Sequence, residues 1–159
     1  MARVASAIEA LLAAAETLDA ELAVTTSRRT APAVEQWLTR RLTEHPRCAR
    51  LVIASQDSTD GIVPMILDTS AAVVVTGDSV SMVSEAAATT KPVFVIAPRQ
   101  TWPQPKRRRF FADLTATGRV QVVAPSALAA QLTAAVRDAR PMAPLDDRAH
   151  LLTRLVTWL

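Results

Sequence analysis

The sequence predicts an α/β domain, a doubly wound, mostly parallel sheet of five strands with helices on both faces. Helical and strand patterns alternate five times along 159 residues, which favours right-handed crossovers between parallel strands. The apolar runs at 72–76 and 93–97 are unbroken, as in strands that are buried on both faces. Hydrophobic residues make up 50% of the chain. That share is enough to build the core of a single domain over residues 1–159.

The first half of the chain contains two strands and three helices. Apolar residues at helical spacing define the helices, and short β-type runs define the strands. Prolines at positions 32 and 64 fall in first helical turns, where the absent N–H costs little. The predicted elements are a helix over 3–18, a strand over 22–26, a helix that begins near Thr30 and Pro32 and ends before His45, a strand over 51–54 and a helix over 61–68.

The second half continues the same alternation. Pro105 stands at the start of one helix and Gly118 just past its end, as is typical of helix boundaries. The predicted elements are strands over 72–76, 93–97 and 120–123 and helices over about 79–89, 105–117, 126–139 and 146–158, the last of them amphipathic.

Composition excludes several classes of protein. Only 21% of the residues are charged and half are hydrophobic, which excludes a disordered chain. A lone cysteine excludes a disulfide framework or a multi-cysteine metal site, and three glycines leave no dinucleotide fingerprint. We expect no metal and no cofactor. No signal peptide and no membrane-length apolar stretch is found, so we expect a soluble, cytoplasmic protein.

Ligands of open parallel sheets bind outside the carboxyl ends of the strands. That rule points to the loops at 27–31, 55–60, 76–82 and 98–105. The chain opens with a helix, whereas a doubly wound domain normally opens with a strand and a glycine-rich loop. We therefore expect that the first strand of the fold and its loop are missing from this chain.

The most informative stretch, residues 73–86, has the pattern of a strand, a tight turn and a helix start. Gly77 allows the backbone to turn sharply and a ligand to approach closely. The free N–H groups over 79–82 open a helix, and such an end attracts anions. This stretch is therefore a candidate site for a phosphate group.

Two side chains of the following helix add to this candidate site. Ser81 and Glu85 are four residues apart and share a helical face. A carboxylate at position 85 can accept hydrogen bonds from two adjacent hydroxyls, such as a ribose diol. The alternative is plain capping, in which Asp78 or Ser79 caps the helix and Glu85 complements its dipole.

Two basic segments are the remaining candidates. Arg28 and Arg29 follow a strand, where their guanidinium groups suit phosphate oxygens, although they could equally be a solvated pair. Residues 106–109 are four consecutive cations. Lys106, at the helix start, is the better phosphate candidate, and Arg107 and Arg108 are expected to be solvated. A nucleic-acid interface is the alternative there, but no aromatic residues are interleaved on strands.

The stretches over 25–30 and 75–86, together with the segment over 91–93 and that over 106–110, resemble a known family over about residues 5–125. They are similar to the bacterial relatives of the plant "elongated mitochondria" (ELM) fission factor, a family that resembles GT-B glycosyltransferases in fold. The resemblance implies a Rossmann-like domain, the nucleotide-sugar-binding carboxy-terminal half of a GT-B protein.

The resemblance also implies roles for individual residues. Glu85 would hold the ribose, the turn at 76–82 would receive the diphosphate, and Arg28 or Arg29 would contact it. With the basic residue found above, the candidate nucleotide and diphosphate site comprises Ser27, Arg28, Arg29, Thr30, Thr76, Gly77, Asp78, Ser79, Ser81, Met82, Glu85 and Lys106.

Three functions follow from these patterns. In the first, the chain binds a nucleoside diphosphate sugar and is not catalytic alone. A complete GT-B protein has two such halves, so the acceptor side belongs to an N-terminal half that a partner, or a homodimer, would supply. In the second, the chain is a non-catalytic interaction protein. In the third, it binds nucleic acid through residues 106–109. No catalytic residue is assigned.

Overall fold

The structure, a computed structural model, describes residues 1–97 and 105–138. It confirms the α/β class with parallel strands. The helix predicted over about 146–158 lies outside the described residues. In chain order, the elements are α1 (Ala2–Leu18), β1 (Leu22–Thr25), α2 (Pro32–Leu42), β2 (Cys48–Val52), α3 (Ile62–Thr69), β3 (Val73–Thr76), α4 (Val80–Ala87), β4 (Val93–Ile96), α5 (Pro105–Ala116), β5 (Gln121–Val123) and α6 (Pro125–Arg137).

The second strand lies earlier in the chain than the 51–54 that its apolar run predicts. β2 ends at Val52 because the chain turns directly after it. The Ile53 carbonyl accepts the N–H groups of Gln56 and Asp57 at 2.9 and 2.8 Å. The Asp57 carboxylate in turn accepts the Ile53 N–H at 2.7 Å. The apolar run therefore continues past the strand into a hydrogen-bonded turn.

The strands form two sheets and not the single five-stranded sheet that the sequence predicts. In the part of the chain that the structure describes, β1 pairs with β2, and β3, β4 and β5 pair in that order, all of them parallel. β1 and β3 belong to different sheets. An apolar run predicts a strand but does not say which strand lies beside it, which is why the division was not foreseen.

Helices cover both faces of the three-stranded sheet. Because side chains alternate along a strand, Val93 and Val95 face one cluster, with α4 and α5. Phe94 and Ile96 face the opposite cluster, with α1 and α6. Every residue of β4 is buried. This is the pattern that its unbroken apolar run predicts for a central parallel strand.

α1 packs against both sheets. Its residues Ile8 and Leu12 belong to the apolar cluster formed with β1, β2 and α2. Ala7 and Ala14, on a neighbouring stripe of the same helix, belong to the cluster formed with β4, β5 and α6. Leu11 contacts both clusters. The two sheets therefore lie side by side beneath one helix.

Candidate functional site

The loops after β1 and β3 meet at one edge of the molecule. The Nη2 atom of Arg29, which follows β1, lies 3.4 Å from the Oγ atom of Ser79, which follows β3. Both loops leave the carboxyl ends of their strands. The contact therefore places the carboxyl ends of the two sheets on the same side, where ligands of parallel sheets bind.

The loop after β1 is held in a defined turn by its own hydroxyl groups. Ser27 and Thr30 close the turn, because the Thr30 N–H donates to the Ser27 carbonyl at 2.8 Å. The Ser27 N–H donates to Thr30 Oγ1 at 3.0 Å in return. The Arg29 N–H also donates to Ser27 Oγ, at 3.3 Å. Ser27 and Thr30 therefore position the backbone that carries Arg28 and Arg29.

A buried carboxylate anchors this loop from below. Glu35, in the first turn of α2, is only 5% exposed. Its Oε1 accepts a hydrogen bond from Thr26 Oγ1 at 2.8 Å and its Oε2 accepts one from Ser55 Oγ at 2.6 Å. Thr26 Oγ1 also accepts the Ala54 N–H at 2.8 Å. This network ties the loop after β1 to the loop after β2.

The hydrogen bonds to Glu35 also set its ionisation. The hydrogen bond from Ser55 lowers the pKa of the Glu35 carboxyl most, and the hydrogen bond from Thr26 lowers it next. Partial desolvation raises this pKa, but more weakly. The carboxylate is therefore charged at neutral pH and serves as a fixed acceptor beneath the loop.

The start of α4 presents free N–H groups next to hydroxyls. Ser79 occupies the N-cap position and is 6% exposed, but its side chain makes no capping hydrogen bond with the described residues. The plain capping that the sequence allowed is therefore not formed by Ser79. Its Oγ lies 3.4 Å from Ser81 Oγ. The first intrahelical bond runs from the Val83 N–H to the Ser79 carbonyl. The N–H groups of residues 80–82 thus precede the ladder of α4.

A second arginine reaches the same turn from α5. Arg107 Nη2 donates to the Asp78 carbonyl at 3.1 Å, and the side chain is half-buried. This differs from the expectation that Arg107 is solvated. The choice of Lys106 as the better phosphate candidate stays a prediction. Arg108 and Arg109 are exposed, and so is Lys106. The rotation of α5 directs the Arg107 side chain toward the start of α4. Four consecutive cations in a sequence do not indicate which of them takes that direction.

The remaining candidates surround this centre. Thr76 is exposed at the end of β3, and Gly77 is buried with its N–H donated to the Ile96 carbonyl at 3.0 Å. Met82 is half-buried in the first turn of α4. Arg28 and Glu85 are exposed, and their side chains make no hydrogen bond with another described residue. The structure therefore joins Arg29, Ser79 and Ser81 directly and leaves Arg28, Glu85 and Lys106 at the rim.

This arrangement is chemically suited to an anion. A guanidinium group, two hydroxyls and the positive end of a helix converge at the turn after β3, and all of them donate hydrogen bonds or attract negative charge. The nearest carboxylates, Asp78 and Glu85, are exposed and can turn to solvent or to a neutral diol. Two surface depressions of the described part of the chain lie elsewhere, one between α2 and β2 and one between α1 and the start of α6.

Sequence reasoning missed Glu35, Ser55 and Arg107. A signal for Glu35 was present, because it occupies the stripe with Leu38 and Leu42 that α2 buries. A carboxylate on an apolar stripe indicates a buried acceptor that needs donors. No comparable signal exists for Ser55, since its role depends on how β1 and β2 are placed beside each other.

Two features are not found within residues 1–97 and 105–138, a metal site and a membrane-spanning helix. No group of three or more histidine, cysteine, aspartate or glutamate side chains is arranged to hold a metal ion. No helix in the same ranges is long and apolar enough to cross a membrane.

The comparison with known families gives a match over almost the whole sequence. Residues 1–157 match the family described as mitochondrial fission ELM1. The chain belongs to the mitochondrial fission ELM1 family. No curated protein and no solved structure matches it. The match extends beyond residues 5–125, the range over which the sequence motifs resemble this family.

Proposed function

We propose that this member of the ELM1 family binds a nucleoside diphosphate sugar at the carboxyl edge of its strands, as the equivalent half of a GT-B glycosyltransferase does. In this proposal the diphosphate lies at the start of α4, against the Arg29 guanidinium and the hydroxyls of Ser79 and Ser81. Glu85, one turn further along α4, accepts hydrogen bonds from the ribose hydroxyls. Arg28 and Lys106 attract the anion from the rim.

One observation carries this proposal. The Arg29 guanidinium lies 3.4 Å from Ser79 Oγ, at the uncapped start of α4. A cation there, next to N–H groups that precede the helical ladder, forms a cradle of donors for phosphate oxygens. Arg107 fixes the backbone of the same turn through the Asp78 carbonyl. Membership of a family that resembles GT-B proteins supports the choice of a nucleotide over a simple inorganic anion.

In this proposal the domain contributes binding and positioning, and the chain alone is not a catalyst. Its share of a glycosyl transfer is to hold the donor and to stabilise the charge of the departing diphosphate. The groups that activate the acceptor belong to the other half of the GT-B fold.

The direct test is a thermal-shift titration of the purified chain with UDP, GDP, CDP and ADP. A ligand at about 100 times its Kd adds roughly 2.7 kcal/mol to the free energy of unfolding. For a domain of this size the melting temperature then rises by about 5–10 °C. We expect such a rise with one of the four nucleotides. No rise with any of them, in a sample that melts cooperatively, would overturn the proposal.

Matched variants locate the site. We expect Arg29→Ala to weaken the affinity about 10–100-fold, because a charge-assisted hydrogen bond contributes roughly 1.5–3 kcal/mol. Arg28→Ala serves as its control, since the side chain of this exposed neighbour makes no hydrogen bond or ion pair with another described residue, and we expect a smaller loss. Glu85→Ala should weaken the affinity for nucleotides but not the affinity for pyrophosphate, which has no ribose. Ser84→Ala, exposed on a different face of α4, should change neither affinity.

A second candidate function is that of a non-catalytic interaction protein. The name of the family, mitochondrial fission ELM1, refers to a process and not to a reaction. A specific structural observation also favours it, namely the two strand edges that β1 and β3 present. A chain with no nucleotide affinity that still binds a partner through these edges would have this second function.

A further inference from the structure

β1 and β3 each have an edge that is not used within residues 1–97 and 105–138. In parallel pairing, alternate residues of a strand bond to opposite neighbours. In β1, the N–H groups of Leu22 and Thr26 donate to the β2 side, at 2.7 and 3.0 Å. The backbone groups of Ala23 and Thr25 therefore point away from β2, toward the side on which β1 has no described neighbour.

β3 has the same arrangement on its own free side. The N–H groups of Val73 and Gly77 donate to the β4 side, to the carbonyls of Pro92 and Ile96. By the same alternation, the backbone groups of Val74 and Thr76 point away from β4. Within the described ranges, β3 has no partner on that side. Two rows of backbone donors and acceptors are thus available, one on each sheet.

We call the region between these two rows, beneath α1, the slot. Leu11 of α1 contacts the clusters of both sheets, so α1 lies over the boundary between them. A helix with its side chains is about 10 Å across, and neighbouring strands are about 4.8 Å apart. A helix that contacts both sheets can therefore span two strand spacings, the separation that a single strand between β1 and β3 would need.

The slot is apolar on both faces. α1 covers one face, with Leu11 half-buried above it. α3 packs against β1 on the other side, and its Leu67 packs against the cluster that contains β3. α3 reads Ile-Val-Pro-Met-Ile-Leu-Asp-Thr, yet none of its residues is buried by the described chain. Val74 and Val75 are likewise only half-buried in a run that predicts a fully buried strand.

We infer that this slot accepts one β-strand from a second polypeptide. The strand runs parallel to β1 and β3, spans four or five residues, carries apolar side chains on both faces and has no proline at its centre. Its backbone would pair with Ala23 and Thr25 on one side and with Val74 and Thr76 on the other. This inference does not rest on the proposed nucleotide site.

The described strands of a second copy of this chain do not suit the slot. A strand in the slot needs both of its edges free, because it pairs on the left and on the right. Each of the strands β1 to β5 is already paired along at least one edge. The occupant is therefore an extended segment of a partner that is unpaired before binding, as in donor-strand complementation.

The test uses the full chain and a synthetic peptide with a Val-Ile-Val-Ile-Val core between Gly and Lys residues, labelled with fluorescein. Anisotropy measures its binding, and amide hydrogen exchange followed by nuclear magnetic resonance locates it. We expect saturable binding and exchange at least about 10-fold slower at the amides of Ala23, Thr25, Val74 and Thr76. Amides that already bond to β2 and β4, such as those of Val73 and Thr26, serve as internal controls.

A control peptide with proline at the central position has the same apolar character but lacks the central N–H, and we expect it not to bind. Three results would overturn the inference. The control peptide could bind as well as the probe, or protection could arise away from the slot. The four slot amides could also already be protected in the free, monomeric chain, which would mean that the chain fills its own slot.

Discussion

At the scale of single residues, Glu35 shows how a polar group is kept inside the fold. Burial of a lone carboxylate is costly unless donors satisfy it. Here Thr26 and Ser55 donate to its two oxygens at 2.8 and 2.6 Å, and both donors belong to loops at the carboxyl edge of the strands. The carboxylate thus couples the loop that carries Arg29 to the loop after β2.

We predict that Glu35→Ala lowers the melting temperature by several degrees at pH 7 and that Glu35→Gln lowers it less, since an amide oxygen still accepts one hydrogen bond. The pKa of Glu35 is lowered in the folded chain from its ordinary value of 4.5. Its contribution to stability is therefore fully present above pH 4.5 and is lost as the pH falls through the folded-state pKa. Melting curves between pH 7 and pH 3 measure this.

The control for this series is Gln36→Ala, an exposed neighbour on the same helix, which should leave the melting temperature within about 1–2 °C of the parent. The parent should lose more stability on acidification than Glu35→Ala does. Parallel pH profiles for the two proteins would show that Glu35 carries no linked proton, against this prediction.

The residue scale also shows how far sequence reasoning reaches. The proximity of Arg29 and Ser79 was predictable in outline, because each follows a predicted strand at the edge where ligands of parallel sheets bind. The preference for Lys106 over Arg107 as a phosphate ligand stays a prediction, but the contact of Arg107 with the Asp78 carbonyl was not predicted. Spacing indicates which residues share a helix, but the rotation of α5 about its axis depends on how Phe111 packs into the core.

At the scale of elements, strands were predictable and their neighbours were not. The run over 93–97 predicted a strand buried on both faces, and β4 is one. The similar run over 72–76 predicted the same for β3, yet Val74 and Val75 are half-buried. The burial of a strand depends on which elements lie at its edges. The apolar run does not reveal those elements, because they are set by the topology of the sheet.

The free edge of β3 makes a testable distinction between two neighbouring positions. Val74→Pro removes an N–H that points into the slot, whereas Val75→Pro removes one that pairs with β4. Proline is tolerated in a strand where its N–H has no partner. We predict that Val75→Pro costs at least about 2 kcal/mol more than Val74→Pro, since it leaves a buried carbonyl of β4 without its donor.

This comparison is read from urea denaturation of both variants beside the parent, with circular dichroism as the probe. Val74→Ala and Val75→Ala correct for the loss of each side chain. Equal costs for the two prolines would mean that the Val74 N–H is also paired in the free chain, and the edge of β3 would then not be free.

At the scale of the whole molecule, α1 holds two incomplete sheets in one layer. Arg3 and Ser6 of α1 line the same depression as Pro125 and Ser126, which begin α6 directly after β5. At the other end of these helices, Arg137 of α6 reaches the Thr17 carbonyl of α1 at 3.5 Å. α1 and α6 therefore run side by side, and α1 begins at the carboxyl edge, where a parallel strand in the slot would end.

That placement predicts the effect of a fusion. A Val-Ile-Val-Ile-Val segment joined to Met1 through a flexible linker of about four residues should enter the slot and lead directly into α1, as in a strand–helix–strand unit. The linker makes pairing intramolecular, with an effective concentration in the millimolar range. We predict that the melting temperature rises by roughly 4–8 °C, equivalent to about 2 kcal/mol for a domain of this size.

The matched control carries proline at the centre of the fused segment and should melt with the parent chain. The gain should also vanish in the fusion that contains Val74→Pro, because the slot then lacks a donor on the β3 side. Fluorescein-labelled peptide should no longer bind the fusion, since its slot is filled. A fusion that melts with the parent and still binds the peptide would mean that the strand does not reach the slot from Met1, and α1 would then not begin where a parallel insert ends.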